Sequence, residues 1–230
     1  MTGPPRRHSR DGGHLGTAGC PNVHRLRRLP RRPQRSQPGA ARRCNLGEVA
    51  GASADGSGEA GSGRPFSVRP VSDDQWLIVA WLWQLFRHDL APIVNGLPYA
   101  DGRYQAAQLQ RFPSPDGAGY LAWRAHPNTG EDAPLGFAVI EGLTGGRRSV
   151  TGFWVAPVAR REGIGRRLAI EVLSRHEGPW SIGFQHENAR AGRFWREIAD
   201  TVFGPGRWSE HQRPVPGRPH VPPDHIIESG

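Results

Sequence analysis

The residues best suited to chemistry lie where an apolar run, 149–156, passes into an amphipathic stretch that begins at Gly163-Ile164-Gly165. Arg160, Arg161, Arg166 and Arg167 flank these glycines and Glu162 sits among them. Amides at the start of a helix have no partners of their own, and the helix dipole adds about half a positive charge there. A phosphate-bearing ligand is the chemistry that such a turn receives. Gly163 and Gly165 suit it because a Cβ would forbid the turn or hold the phosphate away from the backbone. Further along, Asn188 stands at the mouth of another helix, preceded by His186 and Glu187, two side chains able to move a proton.

Phosphate loops differ in length and in their fixed residues. A Walker A loop needs a lysine, and all 30 basic residues of this chain are arginine. A dinucleotide fingerprint needs a third glycine where Leu168 stands, and a first glycine directly after the strand. Here Gly163 comes eight positions after Val155. Glu187 imitates the ribose-binding acid about 20 residues on, but the loop length speaks against that motif.

The elements that must hold this turn can be read from periodicity. Residues 66–69 predict a short strand, and Ser72-Asp73-Asp74-Gln75 a capping box ahead of a helix over 76–90. That helix is apolar around most of its early turns, which predicts burial on two sides, with Pro92, Gly96 and Pro98 ending it. A weaker helix is expected over 101–112. Residues 119–124 and 135–143 read as strands, and Gly145-Gly146 turns the second into 149–156 as a hairpin. The helix from Gly163 places Ile164, Leu168 and Val172 on one face and pairs Glu171 with Arg175. A strand over 180–185, a helix over 189–200 and short extended pieces at 207–213 and 225–228 complete an α+β reading. Early strands are antiparallel and one β-α-β crossover is parallel. Most of the eight tryptophans are expected in the core.

Composition narrows the function. The formal charge is +9, but residues 1–64 hold 12 arginines against four acids and residues 65–230 hold 18 against 17. The foldable part is nearly neutral, which argues against nucleic acid as its partner. The 1–64 stretch is rich in Arg, Gly and Pro without periodicity and is read as a disordered extension, or as an upstream start in a GC-rich gene. As a basic arm it leaves a nucleic-acid contact open as a lesser alternative. Cys20 and Cys44 are the only cysteines, so residues 65–230 hold no disulfide, thiolate zinc site or catalytic thiol. No metal is expected. The longest apolar run, 76–83, is far short of the roughly 20 residues that cross a bilayer, and no signal segment is readable, so a cytoplasmic location is expected.

Val155-x-Pro157-x-x-Arg160-x-x-Gly163-Ile164-Gly165, followed by Asn188-x-x-Ala191-x-x-Phe194-Trp195, resembles the acyl-CoA-binding blocks of the GNAT superfamily of N-acetyltransferases. The element order over 66–227 is similar too, and the short first strand, the capped helix and the Pro222-Pro223-Asp224 close look similar to a bacterial branch of uncharacterised predicted acetyltransferases. The resemblance implies a mixed, mostly antiparallel sheet flanked by helices. It also implies acetyl-CoA as co-substrate and an amine of a small molecule or peptide as acceptor, joined by direct transfer. The amides of residues 160–166 would grip the pyrophosphate. Trp154, Val155 and Ala156 would pair with the pantetheine arm and donate to the thioester carbonyl, and Asn188 would touch the same arm. Two positions depart from the pattern. Trp195 stands where many members carry a tyrosine acid, and Thr151 where many carry a glutamate. His186 and Glu187 are then the nearest catalytic candidates, and a lapsed CoA-binding or sensing protein is the alternative. Asp89, Tyr99, Asp101 and Tyr104 are candidates to meet a cationic acceptor.

Overall fold

The computed structural model describes residues 65–217 and 220–230. The extension expected over 1–64 lies outside them. Among the described residues seven strands build one sheet: β1 (Ser67–Pro70), β2 (Gly117–Ala125), β3 (Asp132–Glu141), β4 (Arg148–Val155), β5 (Trp180–Phe184), β6 (Trp208–Arg213) and β7 (Asp224–Ser229). Their order across the sheet is β1-β2-β3-β4-β5-β7-β6. Every neighbouring pair is antiparallel except β4 and β5. Tight connections explain the early meander. At Gly142, for example, φ is +85° and an added Cβ would lie 2.5 Å from the Arg147 carbonyl oxygen, so the β3–β4 turn admits only glycine.

Among the described residues three α-helices cover the two faces: α1 (Trp76–Val94), α2 (Ile164–Ser174) and α3 (Ala189–Val202). Strand side chains alternate between faces, so one sheet feeds two cores. Val79, Leu82 and Trp83 of α1 bury against Leu121, Phe137, Val139 and Trp154. Ile164, Leu168 and Val172 of α2 and Ile198 of α3 bury against Ile140, Ile182 and Ile227 on the other face. Phe153 and Trp154, adjacent in sequence, belong to opposite cores. Truncating a fully enclosed ring such as Trp83 or Trp180 removes about 3–5 kcal/mol of stability in sites of this kind.

The helical readings need three corrections. Pro92 lies inside the last turn of α1, which runs on to Val94 and closes at Asn95 with left-handed φ of 49°. Proline removes only one donor, and the Gly96 amide returns to the Ala91 carbonyl to finish the helix. Nor is α1 buried on two sides: Leu77, Trp81 and Leu85 form an exposed row, with Trp81 70% exposed. The helix over 101–112 shrinks to a 3-10 turn, Ala107–Arg111. Asp101 instead folds a local turn, accepting from the Arg103 amide and guanidinium. The two C-terminal extended pieces form a hairpin, with β7 inserted beside β5.

One irregularity opens the sheet where the site lies. β4 and β5 pair only through Arg148–Trp180 and Ser149–Ser181, and from there towards their C-terminal ends they are unpaired. β4 is bulged against β3: Val139 faces Gly152 and Ile140 faces Val150, leaving Thr151 as the extra residue. Such a bulge increases twist and re-aims the strand beyond it, here residues 152–155.

Candidate active site

A cleft of about 780 Å³ opens where β4 and β5 part. Its walls come from Phe153 to Val155 on β4, the 160–166 loop, the first turns of α3 and the last turns of α1. The loop after β4 is shaped by two left-handed residues, Arg161 at φ +68° and Gly163 at φ +77°. Gly163 caps α2 with no side-chain bond, and its carbonyl accepts from the Arg167 amide. The amides of Ile164, Gly165 and Arg166 therefore have no helical carbonyl to meet. A Cβ on Gly165 would stop 3.4 Å from the Val155 side chain, so glycine at this position keeps the cleft wall open.

The ladder register decides which strand amides face the cleft. The Ala156 amide donates to the Leu135 carbonyl of β3. Alternation then turns Trp154 towards β3 as well, opposite Phe137, and leaves Phe153 and Val155 with backbone groups on the β5 side. This corrects the expected trio: of Trp154, Val155 and Ala156, only Val155 offers its amide to the gap. Phe153, which sequence reasoning did not select, is its partner. The Trp154 indole serves instead as a strap, donating to Asp89 of α1 at 2.9 Å.

The arginines divide in the same way. The Arg160 guanidinium donates to the Val155 carbonyl at 2.9 Å and pairs with Asp89. Burial alone would raise the Asp89 pKa, but hydrogen bonds from Trp154 and Arg160, with the charges of Arg160 and His88, hold it below the usual carboxylate value. Asp89 is thus engaged in bracing the loop against α1 and is not an available receptor for a cationic acceptor. Glu162 turns away to Arg124 of β2 at 2.6 Å, and the Ile164 side chain is wholly buried, so both can contribute only backbone. Arg167 leaves the cleft for Glu171 and the Phe66 carbonyl. Arg161 lines the cleft and has no ion pair among the described residues; Arg166 lines it too and reaches Thr201 at 3.3 Å.

α3 supplies the expected Asn188 and two residues that sequence reasoning missed. Asn188 caps it, its Oδ1 accepting from the Ala191 amide at 3.1 Å, which leaves the Nδ2 group as a donor at the cleft wall. Arg190 and Arg193, spaced one turn apart, also line the cleft and are without ion pairs among the described residues. Their i,i+3 spacing from each other, just after the cap, was the available signal. Two helix N-termini, α2 and α3, thus bound one cleft, with Arg161, Arg190 and Arg193 unneutralised. These features fit a polyphosphate whose attached arm runs along β4.

The Trp195 ring, 6% exposed, packs edge-on to Phe153 at 5.0 Å and Phe194 at 4.9 Å. Its indole does not titrate usefully, so no acid stands there. Thr151 Oγ1 is buried with no hydrogen-bond partner among the described residues. Glu187 lines the cleft, and burial, together with the Glu187 charge, raises the pKa of Asp224 at the start of β7. His186, exposed at the end of β5, is hydrogen-bonded through Nδ1 to His225 Nε2 at 3.0 Å. Among the described residues no group of three His, Cys, Asp or Glu could hold a metal ion, and no helix is long and apolar enough to cross a membrane.

The family model of the acetyltransferase (GNAT) family matches residues 78–199, more than half of the chain. Two solved structures of Arabidopsis thaliana NAA60 share the fold at a TM-score of 0.50, each covering 71% of this chain and 97% of its own. The one in complex with a bisubstrate analogue is 14% identical and the one with acetyl-CoA 12%. The ribosomal-protein-S18-alanine N-acetyltransferase from Escherichia coli is 12% identical at a TM-score of 0.47, covering 72% of this chain and 93% of its own. No curated protein matches the chain.

Proposed function

The chain belongs to the acetyltransferase (GNAT) family, and we propose that it moves the acetyl group of acetyl-CoA to an amine of a small molecule or peptide by direct transfer. The observation that carries this reading is the convergence of the α2 and α3 N-termini on the cleft along β4. The pyrophosphate would meet the amides of 164–166, and Arg161, Arg190 and Arg193 would supply counter-charge near it. The pantetheine arm would run in the gap between β4 and β5, beside Asn188. There the outward amides of Phe153 and Val155 can take its polar groups and polarise the thioester carbonyl. Such preorganised donors cost no reorganisation when charge develops on that oxygen.

Trp195 and Thr151 motivate a second reading, a protein that binds acyl-CoA without turning it over. One pair of measurements tests both. Titration calorimetry with CoA should give saturable binding, and free thiol should appear when acetyl-CoA meets a panel of amines. The panel would hold a polyamine, an amino acid, an aminoglycoside and a tripeptide. Binding without thiol release favours the second reading, and absence of binding removes both.

A further inference from the structure

His186 is the visible end of a longer chain of polar groups. Glu210 of β6 accepts from Arg196 of α3 in a bidentate pair, 2.7 Å at each oxygen, and one of those oxygens lies 2.6 Å from His225 Nδ1. His225 Nε2 lies 3.0 Å from His186 Nδ1. Hydrogen bonds from Arg196 and His225 outweigh burial and keep Glu210 below its ordinary pKa, so it is an ionised acceptor. The order of protons follows from that. A carboxylate can only accept, so His225 donates from Nδ1. A neutral His225 then offers a lone pair on Nε2, which requires His186 to carry its proton on Nδ1. The remaining nitrogen, His186 Nε2, is a bare lone pair at the exposed end.

The surrounding packing fixes this arrangement. The His225 ring stacks on Phe184 at 5.2 Å and 7°, and lies 5.2 Å from the His186 ring at 19°. The Arg196 guanidinium lies over the Phe184 ring at 5.4 Å, beside Gly192, whose missing side chain leaves the space it occupies. Asp224 of β7, next to His225, and Glu187 of the loop before α3 are charged neighbours. Position along the sheet gives the chain its target. Six residues beyond the Arg148–Trp180 pair stand Trp154 on β4 and His186 after β5, on either side of the gap. His186 immediately precedes Glu187, which lines the cleft.

We propose that Glu210, His225 and His186 form a proton relay, with His186 Nε2 taking a proton from the acceptor ammonium and His225 and Glu210 as positioning residues. The relay rests on the acyl-transfer reading above. The amine freed in this way forms the C–N bond to the acyl carbon while the C–S bond breaks, its electron pair staying on sulfur. The second amine proton ends on that sulfur as the thiol, and the first leaves His186 for water before the next cycle. Positive charge on His186 is shared through its Nδ1–H towards His225 and met by Glu210.

Imidazole 15N spectra of the 15N-labelled full chain test the relay without turnover. Both His186 and His225 should carry the proton on Nδ1 when neutral, and Glu210→Gln should release that preference at His225. A wild-type His186 protonated on Nε2 overturns the relay. In assays with acetyl-CoA and the amine panel, His186→Gln should lower kcat about 100-fold, with acetyl-CoA affinity by calorimetry unchanged. Glu210→Gln should fall between the two and move the acid limb of the kcat profile to lower pH, because the imidazolium has lost its counter-charge. A His186→Gln enzyme with wild-type kcat, or a Glu210→Gln enzyme with the wild-type pH profile, overturns the relay, as does acetyl-CoA binding with no amine turned over. A wild-type protein that binds no acetyl-CoA overturns the acyl-transfer reading itself, whatever the tautomers.

Discussion

The two sides of the β4–β5 gap are built differently. On one side, the loop and turn over 153–166 form a continuous stretch whose backbone does most of the proposed binding. On the other, His186, Glu210 and His225 come from three separate elements and act through side chains. The first kind of site is set by glycines and by which amides a register leaves free. The second needs β7 to insert between β5 and β6, which brings His225 beside Phe184 and opposite Gln212. A backbone site tolerates wide sequence change outside its glycines, whereas a side-chain relay fails with any one member.

Substitutions on the backbone side should separate binding from folding most sharply. Gly165→Glu sets a carboxylate where the pyrophosphate is proposed to lie, and like charges at contact cost several kcal/mol. CoA affinity by calorimetry should fall more than about 100-fold, while the circular dichroism stays that of the wild type because the added atoms enter the open cleft. Retained affinity would mean that the two sides have been assigned the wrong way round. Replacing Arg190 and Arg193 together with glutamine should weaken CoA binding by about fivefold, with the difference shrinking as salt rises, since exposed charges are screened.

Asp89 couples the comparison to stability. Its pKa lies below the ordinary carboxylate value of 3.8, so its contribution is fully present above that pH and is lost as pH falls through the lower folded value. Asp89→Asn should cost about 1 kcal/mol at neutral pH in urea melts, since the site is partly exposed. The gap from wild type should close below pH 3.8. The smallest effect is expected away from both sides, at His176. It is hydrogen-bonded to the Tyr120 hydroxyl at 2.7 Å, and burial, with the charges of Arg148 and Arg175, lowers its pKa from 6.5. The unfolded chain then binds more protons between 6.5 and the folded value, so stability falls as pH drops through that window. His176→Gln should flatten that part of the curve.

Much of the donor side was legible in the sequence, because Gly163, Gly165, Asn188 and the length of the loop are local features. Arg190 and Arg193 were legible too, one turn apart on a capped helix, but were passed over. The fate of each guanidinium was not legible: Arg160 and Arg167 are drawn off by Asp89 and Glu171, and the partner of Arg160 lies 71 positions away. The exposed row on α1 shows the same limit, since an apolar helix says nothing of how many neighbours it will find.

By itself the sequence determined the α+β element order, the strand-loop-helix turn of an acyl-CoA family and the absence of a tyrosine acid at Trp195. Those properties depend on residues near one another along the chain, where spacing and backbone preference act directly. Only the tertiary structure decided that Phe153 and Val155 face the gap, that Asp89 is an internal brace, and that His186 is backed by His225 and Glu210. Each of these depends on ladder register or on strand order across the sheet. Both are set by long-range packing of the two cores rather than by any local preference of the residues concerned.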